Sequence, residues 1–235
     1  MINDTNLIGI LGKKSHGKNT IADIIRFIEF NTYNIPINES ALDDFRTQLQ
    51  IFYDQEWGNS TGWQIKPFAA ALKQIVSLIT GCSVSDLEDE LYKETPLGEE
   101  WWRYEETIGT STTIHPYLGT SSSLPLRMLT PRMILQLFGT DGGRKIVHPN
   151  IWINTTFATF DASSKWIIPD VRFENECAEI KRRGGKLIRV YNPRIHNIDE
   201  HESENELNNY ENVDVTIIND GSISELIEKV HSLFV

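Results

Sequence analysis

The chain has 235 residues, 40% of them hydrophobic and 23% charged, which is the composition of a soluble globular protein and excludes disordered and fibrous classes. Its 33 acidic and 22 basic side chains give a formal net charge of -11. That charge repels a DNA or RNA backbone unless the basic residues share one face, so no nucleic-acid partner is expected; a free nucleotide is still admitted, because a few local charges hold it.

At this length one α/β domain spanning 1–235 is expected, with insertions at 31–62 and 95–125. The start, MINDTNLIGIL, has neither the basic n-region nor the cleavage site of a signal peptide. No apolar run approaches the roughly 20 residues of a membrane span. A cytoplasmic protein with no membrane contact follows as the expectation. Leu7 to Leu11 reads as a short strand, followed by a glycine-containing turn and a helix with apolar positions Ile21, Ile24, Ile25 and Ile28. From Asn31 to Gly62 the chain turns polar and aromatic, with one short helix around Leu42 to Phe52. Trp63 to Lys66 is extended, and Ala69, Leu72, Ile75, Val76 and Ile79 form an apolar stripe that should pack on a sheet and stop at Gly81. Residues 106–125, rich in Ser, Thr, Gly and Pro, read as a mobile loop.

Thr130 and Pro131 supply an N-cap and a first-turn proline for a helix ending near Gly139. Another helix starts close to Asn150. Lys165 to Ile168 and Lys186 to Val190 are strands, and the helix-forming run Phe173 to Arg183 between them closes at Gly184 and Gly185, a βαβ unit. Val213 to Ile218 is a further strand, and Ser222 with Glu225 makes a capping box before a final amphipathic helix. Alternation of this kind predicts an α/β fold with a mostly parallel sheet and helices on both faces. Cys82 and Cys177 lie in no metal or redox spacing and read as small buried apolar residues.

Gly12-Lys13-Lys14-Ser15-His16-Gly17-Lys18-Asn19 matches the G-x-x-x-x-G-K part of the phosphate-loop pattern, between a strand and a helix as that pattern requires. Glycines let consecutive backbone N–H groups and the helix N-terminus face one anion, and Lys18 reaches the terminal phosphates. Asn19 stands where Ser or Thr usually helps to hold magnesium, and Thr20 follows it. The bland counterpart is a glycine-rich turn with solvated lysines; Lys13 and Lys14 singly fit either description, and His16 reads as a further loop residue.

A second constellation, Pro169-Asp170-Val171-Arg172 with Glu176, lies at the C-terminal end of a predicted core strand, where open α/β sheets bind their ligands. Alone it would describe a surface turn as well as a site. Between the two constellations lie Arg132, Gln136, Gly139-Thr140-Asp141, Arg144 and Trp152. With its phosphate loop, its Leu-Gln-x-x-Gly-Thr-Asp segment followed by a tryptophan, its Pro-Asp-x-Arg-x-x-x-Glu strand end and Asn219-Asp220-Gly221-Ser222 before the last helix, the chain resembles the bacteriophage deoxynucleoside monophosphate kinases. The likeness runs in order along nearly the whole chain and is thin over 31–62 and 95–125.

The resemblance implies a P-loop nucleoside-monophosphate kinase fold, with ATP and Mg2+ as the donor system. It implies a deoxynucleoside monophosphate as acceptor, a homodimer, and a place in the host cytoplasm if the chain is phage-encoded. Carried over by position, Gly12, Lys13, Lys14, Ser15, Gly17, Lys18, Asn19 and Thr20 bind the ATP phosphates. Arg132, Gly139, Thr140, Trp152, Asp170, Arg172 and Glu176 line the acceptor or catalytic site. Lys18, Arg132, Asp170 and Arg172 carry the catalytic work, and Asn19 and Asp170 stand near the metal. Relatives commonly have Asp at the position of Asn19. Gly139 is equally a helix end, Trp152 a packing residue, and Arg144 and Lys93 solvated charges. Arg194 and the His201 to Glu204 stretch fall in a second lid candidate, 191–209. The rival readings are a P-loop kinase of another small phosphorylated metabolite and a nucleotide-binding switch that catalyses nothing.

Overall fold

The computed structural model describes residues 2, 4–30, 40, 42–44, 46–47, 62–104, 126–195 and 206–234. They divide into two compact units, one formed by 1–70 with 150–235 and the other by 71–149.

In the first unit, strand β1 (Leu7–Leu11) is buried at all five positions, as a central parallel strand covered on both faces must be. It lies in a five-stranded sheet with β2 (Trp63–Ile65), β5 (Lys165–Val171), β6 (Lys186–Tyr191) and β7 (Val215–Ile218), in the order β2-β5-β1-β6-β7. Every pairing is parallel. Each strand therefore ends on the same edge, and Leu11 at the end of β1 sits opposite Val171 of β5 and Arg189 of β6. The helices α1 (Lys18–Phe30), α5 (Ile151–Phe157), α6 (Glu174–Arg182) and α7 (Ile223–His231) flank the sheet, so the predicted α/β class and parallel sheet hold.

The core follows from apolar spacing. Ile21, Ile24 and Ile25 of α1 and Leu226, Ile227 and Val230 of α7 meet Ile8, Ile10, Ile167 and Ile188 of the sheet, all essentially without solvent exposure. Each such side chain contributes about 1.5–3 kcal/mol by burial. Leu42, within the predicted excursion, joins this cluster, and residues 42–44 and 46–47 are helical; the rest of the short helix expected there falls outside the described residues. The Ser222–Glu225 capping box forms as predicted.

The second unit contains most of α2 (Ala70–Thr80), then α3 (Glu90–Glu94), a two-stranded antiparallel sheet of β3 (Trp102–Tyr104) and β4 (Leu126–Met128), and α4 (Pro131–Gln136). Thr130 caps α4 by accepting from the Met133 N–H, and Pro131 opens its first turn. Two expectations change here. The helix predicted to end near Gly139 leaves the α form after Gln136 and continues as a π-helix from Leu137 to Val147. Glycines at 139, 142 and 143 weaken the preference for the α winding, and the wider turns run on to a π-type bond from the His148 N–H to the Gly143 carbonyl. The α2 stripe also splits: Leu72 and Val76 are buried, whereas Ile75 and Ile79 are about 40% exposed. Among the described residues no helix is long and apolar enough to cross a membrane. The loop expected at 106–125 lies outside the described residues, as do positions 201–204.

Candidate phosphate-binding site

Residues 12–17 join β1 to α1 as predicted, and three of the six have positive φ: Gly12 at 150°, Ser15 at 64° and Gly17 at 102°. A side chain at Gly12 would place its Cβ 2.4 Å from the Val190 carbonyl oxygen, so only glycine lets the loop leave the sheet against β6. Ser15 holds a left-handed conformation that is uncommon outside glycine and asparagine, a strain that accumulates at functional loops. The Lys18 ammonium folds back over the loop and donates to the carbonyls of Gly12 at 2.6 Å and Lys13 at 2.8 Å.

The helix that follows has 13 residues and no acidic residue in its first turn. No carboxylate of that turn therefore competes for its unpaired N–H groups or offsets its positive end. With Lys13, Lys14 and Lys18 on the approach, the arrangement attracts a polyanion. Asn19 is exposed and Thr20 half-buried at the helix start.

His16, read from the sequence as one more loop residue, is instead buried at 2% exposure. Its Nδ1 lies 3.3 Å from the Val190 carbonyl oxygen and 3.4 Å from the Asn192 amide, and its ring meets Tyr191 edge-on. Burial pushes its pKa below the ordinary 6.5; hydrogen bonds to the Val190 and Ile195 backbone oppose this, and Lys18 and Lys13 add to it. Asn219, after β7, donates through its amide to the His16 carbonyl at 2.9 Å.

Asp170 and Arg172 leave β5 beside the start of the loop, because β5 pairs with β1. The Asp170 carboxylate spans a second connection: one oxygen accepts from the Phe68 N–H and the other from the Ala69 N–H, both at 2.9 Å. It thereby fixes the turn between β2 and α2. Replacing Asp170 with Ala removes a charged acceptor from two amides and is expected to cost about 2–3 kcal/mol, whereas Asn, which keeps one carbonyl oxygen, should cost about half as much. Denaturant melts of the two variants test this; equal stability of Ala and wild type would refute it. Glu176, the third member of the motif, is 1% exposed and accepts from the backbone N–H groups of Arg172 at 2.7 Å and Phe173 at 3.1 Å. Its carboxylate shapes the turn that carries Arg172. Trp152 is buried on α5.

In the second unit, Gly139 and Thr140 are buried in the π-helix, and a Cβ at Gly139 would lie 2.8 Å from Leu72 Cδ2. Arg132 bridges two carboxylates of α3, Glu90 at 2.7 Å and Glu94. Burial lowers the Arg132 pKa, but Glu94 and Glu90 outweigh it and hold the guanidinium above its ordinary value. Lys93, expected to be solvated, is buried against Glu90. Arg144 donates to the Pro149 carbonyl. Arg194 is exposed beside a surface hollow that also borders Asp220 and Lys229.

Comparison with known proteins finds a partial match to one family. Residues 123–230 match the model of the deoxynucleotide monophosphate kinases. A protein of Acanthamoeba polyphaga mimivirus, provisionally named a deoxynucleotide monophosphate kinase, is 34% identical over 116 residues, which are 44% of this chain and 60% of the relative. The chain thus spans about 60% of the length of that relative. The resemblance read from the motifs is therefore to a viral relative, not specifically to a bacteriophage one. The family match takes in Arg132, Gly139, Thr140, Trp152, Asp170, Arg172, Glu176 and Asn219 and begins well after the phosphate loop. Residues 123 to 230, a little under half of the chain, are thus similar to the deoxynucleotide monophosphate kinase family.

Proposed function

We propose that the chain transfers the terminal phosphoryl group of ATP to a deoxynucleoside 5'-monophosphate, giving the diphosphate and ADP. The observation that supports this reading is the glycine-containing loop 12–17 between β1 and α1, which leaves the sheet beside Asp170 and Arg172 of the segment similar to the kinases. An acceptor phosphate oxygen is already anionic near neutral pH, so attack on the γ-phosphorus needs no general base. The bond from phosphorus to the β–γ bridging oxygen breaks and ADP takes the electron pair. The protein's task is neutralisation and alignment. Lys18 and the loop amides hold the donor, Arg172 meets the transferred group, and Trp152 belongs to the acceptor's surroundings. In the second unit, Arg132 is the cation that this reading gives to the acceptor phosphate, with Gly139 and Thr140 beside it in sequence.

Mg2+ fits this reading. Magnesium on nucleotides takes most of its ligands from phosphate and water and needs only one or two protein oxygens. Among the described residues, Asn19, Thr20 and Asp170 offer oxygen donors at this edge of the sheet. When bound, the ion would neutralise charge on the β- and γ-phosphates. Asp170 would act through water, since its oxygens already accept two amides.

The test is ADP release with ATP and magnesium in the presence of dTMP, dGMP, dCMP, dAMP and their ribose counterparts. Turnover that depends on a deoxynucleotide is expected. ADP formed equally with and without every acceptor would refute the kinase reading.

A further inference from the structure

The loop is closed by the same side chain that the proposed function gives to the nucleotide. Lys18 presently closes the loop by donating to the Gly12 and Lys13 carbonyls, and it must leave them to reach a phosphate. Between the left-handed Ser15 and the positive-φ Gly17, the crown then needs a restraint that does not depend on that ammonium. Two contacts supply one. His16 is inserted between the loop and the end of β6, with Nδ1 near both the Val190 carbonyl and the Asn192 amide and the ring packed on Tyr191. Asn219 holds the His16 carbonyl, and a side chain at Gly17 would meet that same amide at 2.6 Å. The Val190 carbonyl is also the group against which Gly12 turns, so one backbone oxygen serves both ends of the loop.

The His16 imidazole is costly to bury. Its Nε2 is buried without a well-formed hydrogen bond, although the Ile195 backbone also acts on the ring. A buried polar atom so poorly served is a cost that an apolar ring of similar shape would avoid.

We propose that His16 is a positioning residue for the phosphoryl donor: its buried imidazole pins the crown of the phosphate loop to the backbone at the end of β6, so that the loop amides keep their anion-binding geometry when Lys18 turns to the nucleotide. This rests on the reading of residues 12–20 as the ATP site. The charged groups around the ring are Lys13 and Lys18 of its own loop; β6 brings the Tyr191 ring, the segment after β6 brings the Ile195 backbone, and the turn after β7 brings the neutral Asn219 amide. A neutral ring suits these surroundings.

The experiment compares wild type, His16→Phe and His16→Asn by ATP binding and by steady-state kinetics, with Lys18→Ala alongside. Phe keeps the ring and its packing but no polar atom, while Asn can place a polar atom near the position of Nδ1. His16→Phe should weaken ATP about tenfold, the value of one net hydrogen bond, and leave the KM for the monophosphate unchanged. His16→Asn should recover most of the loss. His16→Phe binding ATP as tightly as wild type, or raising both constants together, would overturn the proposal. If His16→Phe does not fold, nitrogen NMR of the wild-type imidazole decides. A ring still neutral as the pH falls through the ordinary value of 6.5 supports the pinned position, and one titrating at 6.5 overturns it. Wild type that binds no ATP sinks the phosphate-loop reading itself. ATP binding lost in Lys18→Ala but unchanged in His16→Phe sinks only the role of His16.

Discussion

Lys18→Ala should lower the turnover of ATP and monophosphate by about 10²- to 10³-fold, the usual loss when one charged donor is withdrawn from developing negative charge. The size follows from what Lys18 does in the two states. In the structure its ammonium satisfies the Gly12 and Lys13 carbonyls, groups that water can serve at a half-exposed loop. With nucleotide it is the cation at the first turn of α1, where no acidic residue offsets it. The variant should therefore melt close to wild type while losing activity. Arg is not expected to rescue it, because a planar fork does not replace a compact ammonium at a tight backbone turn. Coupled ADP release and thermal melts check both halves. A rise in the ATP KM alone would mean that Lys18 binds ground and transition states equally, and unchanged kinetics would remove the loop from the reaction.

What could be read from the sequence was local. The loop 12–17, the Thr130–Pro131 helix start and the Ser222–Glu225 box each rest on residues within a few positions of one another, and the structure reproduces them. Apolar runs also disclosed the strands, since parallel strands covered on both faces leave little else in their sequence. The pairings that tie the site together were not legible. Asp170 meets amides about a hundred residues earlier, and His16 meets a carbonyl 174 residues later. Nothing in either residue's neighbourhood names those partners, because strand order, not sequence spacing, puts them side by side. His16 illustrates the cost: in a motif rich in lysine and glycine it looked like solvated loop, and only its place against β6 gives it a task. The π-helix was missed for a related reason. Glycine at 139 reads as a stop when only local propensity is weighed, yet the chain continues helically in a wider form.

Glu176→Ala is expected to destabilise the protein by about 3 kcal/mol, seen as a fall in Tm of roughly 6–12 °C for a chain of this size. The carboxylate is 1% exposed and accepts two backbone N–H groups, and the Phe173 residue carrying one of them is itself buried. Water cannot easily take its place. How closed this region is can be judged from Cys177 beside it, whose thiol burial pushes up to about 12, with the Glu176 charge adding to the effect. Ala leaves both amides without their acceptor, each worth about 1–3 kcal/mol when buried. Gln keeps one carbonyl oxygen for them and should lose only about 1 kcal/mol. The same turn carries Arg172, so activity should follow the geometry of the acceptor oxygen rather than the charge. At a temperature where all three proteins remain folded, Gln should retain most of the wild-type kcat and Ala should lose it. A Glu176→Gln variant that is fully stable but inactive would show instead that the negative charge acts on the reacting phosphates, and would move Glu176 from shaping the turn to taking part in the chemistry.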